Sequence, residues 1–104
     1  MASAFYTFAK ADTIYRISFS GGKRDAYVTI NFYYRNDSLL YSEMTVRLWN
    51  DQTNKDYRVE EYYWKNKLIV KKEMNSFPAS IDTSLIPDSL FQEGIKYLNF
   101  EKNK

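Results

Sequence analysis

AYVTINFYYRNDSLLYSEMTVRLW, residues 26–49, reads as two strands and a turn. Val28, Ile30 and Phe32 alternate with Tyr27, Thr29, Asn31 and Tyr33 before the turn. Met44, Val46 and Leu48 alternate with Glu43, Thr45, Arg47 and Trp49 after it. Two turns compete. A two-residue loop at Asn36-Asp37 sets Ile30 opposite Glu43 and Phe32 opposite Tyr41, which mixes the faces. A three-residue loop, Asn36-Asp37-Ser38, sets Ile30 opposite Met44, Val28 opposite Val46 and Ala26 opposite Leu48. On the other face it sets Thr29 against Thr45, Asn31 against Glu43, Tyr33 against Tyr41 and Tyr27 against Arg47. Each such pair contributes roughly 0.2–1 kcal/mol, so the three-residue loop is the expectation. It has no glycine, and Asn36, Asp37 and Ser38 must supply the left-handed backbone.

Upstream, TIYRISF (13–19) also alternates, with Tyr15, Ile17 and Phe19 on one side. A type II′ turn at Gly22-Lys23 would bring Phe19 opposite Ala26 and Ile17 opposite Val28. Downstream, 57–65 and 68–74 read as strands about a turn at Asn66-Lys67, with Tyr63 opposite Val70, Glu61 opposite Lys72 and Val59 opposite Met74. Lys71, Lys72 and Glu73 protect that last strand as an edge. Residues 75–88 are irregular and hold both prolines. Ser89 and Gln92 have capping-box spacing, and Phe91, Ile95 and Leu98 follow on one helical face, which predicts a helix over 89–99 weakened by Gly94. The first ten residues, with Phe5 and Phe8, fit a short helix or a further strand.

The expected fold is α+β, mainly β, in one domain spanning 1–104. It is a five- or six-stranded antiparallel meander, open or curled into a roll, with a short C-terminal helix over one face. The strands are expected at about 13–19, 25–35, 39–49, 57–65 and 68–74. The helix should cover Ile17, Val28, Ile30, Phe32, Met44, Val46, Leu48, Val59 and Tyr63. No internal repeat or low-complexity tract is evident.

Composition narrows the function classes. A chain of 104 residues can bury one core without staples. Ten tyrosines, seven phenylalanines and two tryptophans make that core unusually rich in rings. There is no cysteine and no histidine, so disulfides, thiol chemistry and the commonest general base and metal ligand are missing. Fifteen Lys and Arg against thirteen Asp and Glu give +2, a near-balanced surface. No apolar run is long enough to span a membrane, and MASAFYTFAK lacks the pattern of a secretory signal. The expected compartment is the cytoplasm, with export after removal of a signal as the alternative.

The second strand face would carry Arg16, Tyr27, Asn31, Tyr33, Tyr41, Glu43, Arg47, Trp49, Arg58, Glu60, Tyr62, Trp64 and Lys71. Tyr, Trp and Arg are the residues enriched at interface hot spots. The candidate binding residues are therefore Tyr27, Tyr33, Tyr41, Arg47, Trp49, Arg58, Tyr62 and Trp64. Two structural alternatives compete: the first ten residues and residues 77–86 fold over this face, or the phenols lie half-solvated along the strands. Stacking on bases or another ligand is the runner-up function, opposed by Glu43, Glu60 and Glu73 among the cations. Gly21-Gly22-Lys23 lacks phosphate-loop spacing. The loop from Asn50 echoes a calcium loop but places Lys55 at the required glycine. Glu60 and Glu61 are neighbours on a strand and point to opposite sides, so they form no catalytic pair. Asn36-Asp37-Ser38 matches a glycosylation sequon and is needed only as a turn. The resulting expectation is a non-enzymatic protein-binding module, of inhibitor, immunity or adaptor type, with no cofactor. Its partner is a protein or a second copy of the chain.

Overall fold

Three hairpins of one geometry build the sheet. In the computed structural model, which describes residues 3–22, 26–48, 56–75 and 86–103, β1 (Ser3–Lys10) pairs with β2 (Thr13–Gly22), β3 (Ala26–Arg35) with β4 (Ser38–Leu48), and β5 (Tyr57–Trp64) with β6 (Lys67–Met74). Each pair turns through two residues in the left-handed region: Ala11-Asp12, Asn36-Asp37 and Lys65-Asn66, with φ between 50° and 66°. Two successive residues of this kind make a type I′ turn, whose twist matches that of the strands. Each turn is followed by one extra residue on the returning strand: Tyr15, Leu40 and Ile69. The hairpins are thus structural repeats whose sequences, FAKADTIYR, YYRNDSLLY and YYWKNKLIV, share little beyond pattern.

The six antiparallel strands form one sheet in the order β1-β2-β3-β4-β5-β6. β1 and β6 are its edges, so the sheet is open and not closed into a roll. The first residues extend the sheet as β1 and do not lie across the second face. The remainder of that possible cover, residues 77–85, lies outside the described residues.

In β3–β4 the expected register holds from Ala26↔Leu48 to Tyr33↔Tyr41. The turn does not: it has two residues, and the bulge at Leu40 restores the matched faces. In β2–β3 the register is two residues further along on each strand, with Ile17 opposite Phe32 and Phe19 opposite Ile30. Gly22 pairs with Tyr27 and has no positive φ, so it extends the strand and makes no type II′ turn. The shift is even, and the face assignments survive it. In β5–β6 the bulge at Ile69 moves the register by one, giving Tyr62↔Val70 and Glu61↔Lys71, with the turn at Lys65-Asn66 and not Asn66-Lys67. That odd shift turns Lys71 away from the second face and puts Lys72 there.

α1 (Leu90–Lys102) starts at Ser89, whose hydroxyl accepts the Gln92 N–H at 3.2 Å. It runs three residues past the expected end. Its buried stripe is Leu90, Gly94 and Leu98, flanked by Phe91, Ile95 and Tyr97. It packs over β2 and β4. The core beneath it contains Ile17, Val28, Ile30, Phe32, Leu39, Met44, Val46, Val59 and Tyr63, all no more than 5% exposed. Burying a side chain such as Phe32 or Ile30 contributes about 1.5–3 kcal/mol. Gly94 allows the close approach: a Cβ there would lie 2.7 Å from atoms of both Phe32 and Leu39.

Candidate functional site

The helix covers one face of the sheet, and among the described residues no element covers the other. The strand pairing sorts the open face into rows that cross the strands. The first row is Phe8, Arg16, Tyr33, Tyr41, Tyr62 and Val70, one residue from each strand. Phe8, Tyr33 and Tyr62 occupy the same position in the three hairpins, just before the bulge, which is why rings line up here. The Arg16 guanidinium lies 4.8 Å from the Phe8 ring centre and 5.6 Å from that of Tyr33. Tyr33 and Tyr41 are 5.5 Å apart, Tyr41 and Tyr62 4.8 Å. The Lys72 ammonium sits 5.7 Å from the Tyr62 ring. A cation therefore stands at each end of a ladder of three phenols.

The second row is polar: Tyr6, Ser18, Asn31, Glu43, Glu60 and Lys72. Asn31 is its hub and is only 8% exposed. Its carbonyl oxygen accepts from Arg16 Nη2 at 2.9 Å and Ser18 Oγ at 2.8 Å, and its amide donates to Glu43 at 3.1 Å. Glu43 and Glu60 are direct cross-strand partners. Like charges so placed repel. Two groups offset this. Arg58 Nη2 lies 2.6 Å from Glu43 and 3.9 Å from Glu60. The Tyr41 hydroxyl is 2.7 Å from Glu60 and 3.0 Å from Glu43, and its one proton is donated to the nearer carboxylate. Burial and these two carboxylates push the Tyr41 hydroxyl far above its ordinary pKa. Burial alone would lower the Arg58 guanidinium, but Glu43, Tyr41 and Glu60 outweigh it and raise it.

Further along, Thr29, Thr45 and Arg58 are in register, then Tyr27 and Arg47. Arg47 holds Asp56 through two nitrogens, at 3.1 and 2.9 Å. Tyr27, Thr29, Asn31, Glu43, Thr45, Arg47 and Arg58 enclose an open depression of about 320 Å³. No buried side-chain N or O atom among the described residues lacks a partner, so the network is fixed before anything binds.

Of the eight candidate residues, Tyr27, Tyr33, Tyr41, Arg47, Arg58 and Tyr62 lie together on this face. Trp64 continues the alternate set of β5 at the hairpin tip and is 61% exposed. Trp49 lies outside the described residues. Sequence reasoning gave no role to Phe8, because the first segment was open between helix and strand. It placed Asn31, Glu43 and Glu60 on this face but not their joint network, which needs the β4–β5 register. It paired Glu61 with Lys72; the structure sets Glu61 4.0 Å from Lys71 and 2.6 Å from the Tyr63 hydroxyl, on the helix side.

Among the described residues no cluster of three or more Asp or Glu forms a metal-binding group, and no helix is long and apolar enough to cross a membrane. The loop residues 50–55 lie outside the described set. Comparison with protein-family models, with curated proteins and with solved structures yields no match for this chain.

Proposed function

We propose that the chain is a small non-enzymatic protein-binding module, of inhibitor, immunity or adaptor type, acting through the open sheet face. The observation that carries this reading is the ladder Arg16–Tyr33–Tyr41–Tyr62, backed by a satisfied polar row. Tyr and Arg supply large contact area, and side chains already held by neighbours lose little freedom on binding. The partner is a folded protein surface that can lie against an open sheet, with polar groups opposite Glu43, Glu60, half-buried Arg58 and exposed Arg47.

A second reading uses the same rings to stack on bases. Its supporting observation is that Arg16 and Lys72, at the two ends of the ladder, have no carboxylate partner among the described residues. Glu43 and Glu60 in the adjacent row weaken it, since a phosphate backbone needs a continuous positive track.

The test is affinity capture from source cells, with and without nuclease, using the full chain and a Tyr33→Ala/Arg47→Ala/Tyr62→Ala variant. A protein held through high salt and nuclease, and lost by a variant with native circular dichroism, supports the first reading. Salt- and nuclease-sensitive recovery replaces it with the second.

A further inference from the structure

We propose that the end of the molecule carrying the three hairpin tips docks on an anionic membrane surface, with residues 64–72 entering the headgroup layer. The topology creates this end. Each odd strand turns into the next even strand there, at Ala11-Asp12, Asn36-Asp37 and Lys65-Asn66. The helix finishes beside them: Lys102 Nζ is 3.2 Å from Asp37.

Exposed apolar side chains gather at the same end. Nine large hydrophobic residues are exposed among the described ones. Five of them, Tyr15, Trp64, Leu68, Ile69 and Phe100, lie within three residues of a tip or of the last helical residue. The third hairpin concentrates them, with Trp64 at 61%, Leu68 at 51%, Ile69 at 60% and Val70 at 42% exposed.

Charge identifies the occupant. Residues 64–72, WKNKLIVKK, hold four lysines and no acid. Lys71 is turned toward Glu61 and Glu73, and Lys72 toward the Tyr62 ring. Lys65 and Lys67 flank the tip with no carboxylate in ion-pair range among the described residues; at the neighbouring tips Lys10 stands beside Asp12, and Arg35 beside Asp37, which Lys102 pairs, so the third tip carries the positive charge. Only the Trp64 indole of this segment can stack on a base; aliphatic Leu68, Ile69 and Val70 cannot, which disfavours nucleic acid here. A protein strand added to β6 would meet Lys71 and Lys72, which guard that edge. A lipid interface uses every group present: the indole at headgroup level, aliphatic side chains below it, lysine heads at the phosphates.

The test is co-sedimentation of the full chain with phosphatidylcholine vesicles, with and without phosphatidylserine, at physiological salt. Binding only to the serine-containing vesicles is expected. Lys65→Gln/Lys67→Gln should weaken it on the order of thirtyfold, and Leu68→Ser/Ile69→Ser should also weaken it. Both variants should keep the parental melting temperature, because all four side chains are exposed. No pelleting, or equal pelleting of the variants, would overturn the proposal. So would oligonucleotide binding that Lys65→Gln/Lys67→Gln abolishes and Leu68→Ser/Ile69→Ser leaves intact, in the absence of vesicle binding.

Discussion

The Tyr34 hydroxyl donates to the Gly94 carbonyl at 2.7 Å, joining sheet to helix across sixty positions of chain. Tyr34 pairs with Leu39 beside the bulge at Leu40, and at Gly94 an added Cβ would meet both Phe32 and Leu39. One glycine without a Cβ and one buried phenol thus set how the helix lies on the sheet.

Gly94→Ala should destabilise the protein even though alanine favours helix by about 1 kcal/mol. The new methyl would sit 2.7 Å from Phe32 and Leu39 atoms that are fully buried and cannot easily move. An overpacking cost of about 1–3 kcal/mol, less the helix gain of about 1 kcal/mol, leaves an expected net loss of up to about 2 kcal/mol in urea denaturation. A gain would show that the helix can lift without penalty.

Stability should fall in strong base. Burial, then the charge of Tyr97, raises the Tyr34 hydroxyl well above its ordinary value. Burial and then Glu93 raise Tyr97 to about 12. A raised folded value means that the unfolded chain loses its protons first. The stabilisation is therefore complete below about pH 10, the ordinary tyrosine value, and is lost as pH rises toward the folded values. Urea midpoints measured from pH 8 upward should be flat and then decline. Tyr34→Phe should shallow that decline while lowering the midpoint at pH 8 by the equivalent of about 1 kcal/mol.

Ala11 occupies the left-handed region at φ 51° without a side chain that can hydrogen-bond locally. Asn36 and Asp37 tolerate that conformation better. Ala11→Gly should therefore stabilise the protein by about 1 kcal/mol. Asn36→Gly should gain less. A melting-temperature comparison of the two decides this, and a larger gain at Asn36 would contradict it.

Arg58→Met would leave Glu43 and Glu60 facing each other with only the Tyr41 hydroxyl between them. A loss of about 1–3 kcal/mol is expected. Adding Glu43→Gln should recover part of it in a double-mutant cycle. Simple additivity of the two changes would mean that the carboxylates do not feel each other.

The parity of β2, β3 and β4 could be read from sequence because apolar side chains occupy one alternate set and polar ones the other. Val28, Ile30, Phe32, Met44 and Val46 could be assigned to the core on that basis alone. Registers at the bulges could not. Leu40 and Ile69 are apolar residues inside apolar runs, and nothing in LLY or LIV marks one of them as extra. For β3–β4 both faces supplied matched partners, so the register came out right with the wrong turn. For β5–β6 the runs YYW and LIV fit two registers equally well, and the pairing slipped by one. Gly22-Lys23 suggested a type II′ turn, but Gly22 has no positive φ and stays in the strand. The polar row was half legible: Asn31 and Glu43 were paired correctly, but Glu60 joins them only through the β4–β5 alignment, across a loop whose length gives no register.

The most direct test of the open face as the binding surface is site-specific photo-crosslinking in source cells. A benzophenone side chain would replace Tyr33 or Tyr62 on the open face, and Lys96 on the solvent side of the helix. The account predicts one protein adduct shared by positions 33 and 62 and absent at 96. An adduct at 96 alone, or none at 33 and 62 while the protein remains folded, would contradict it.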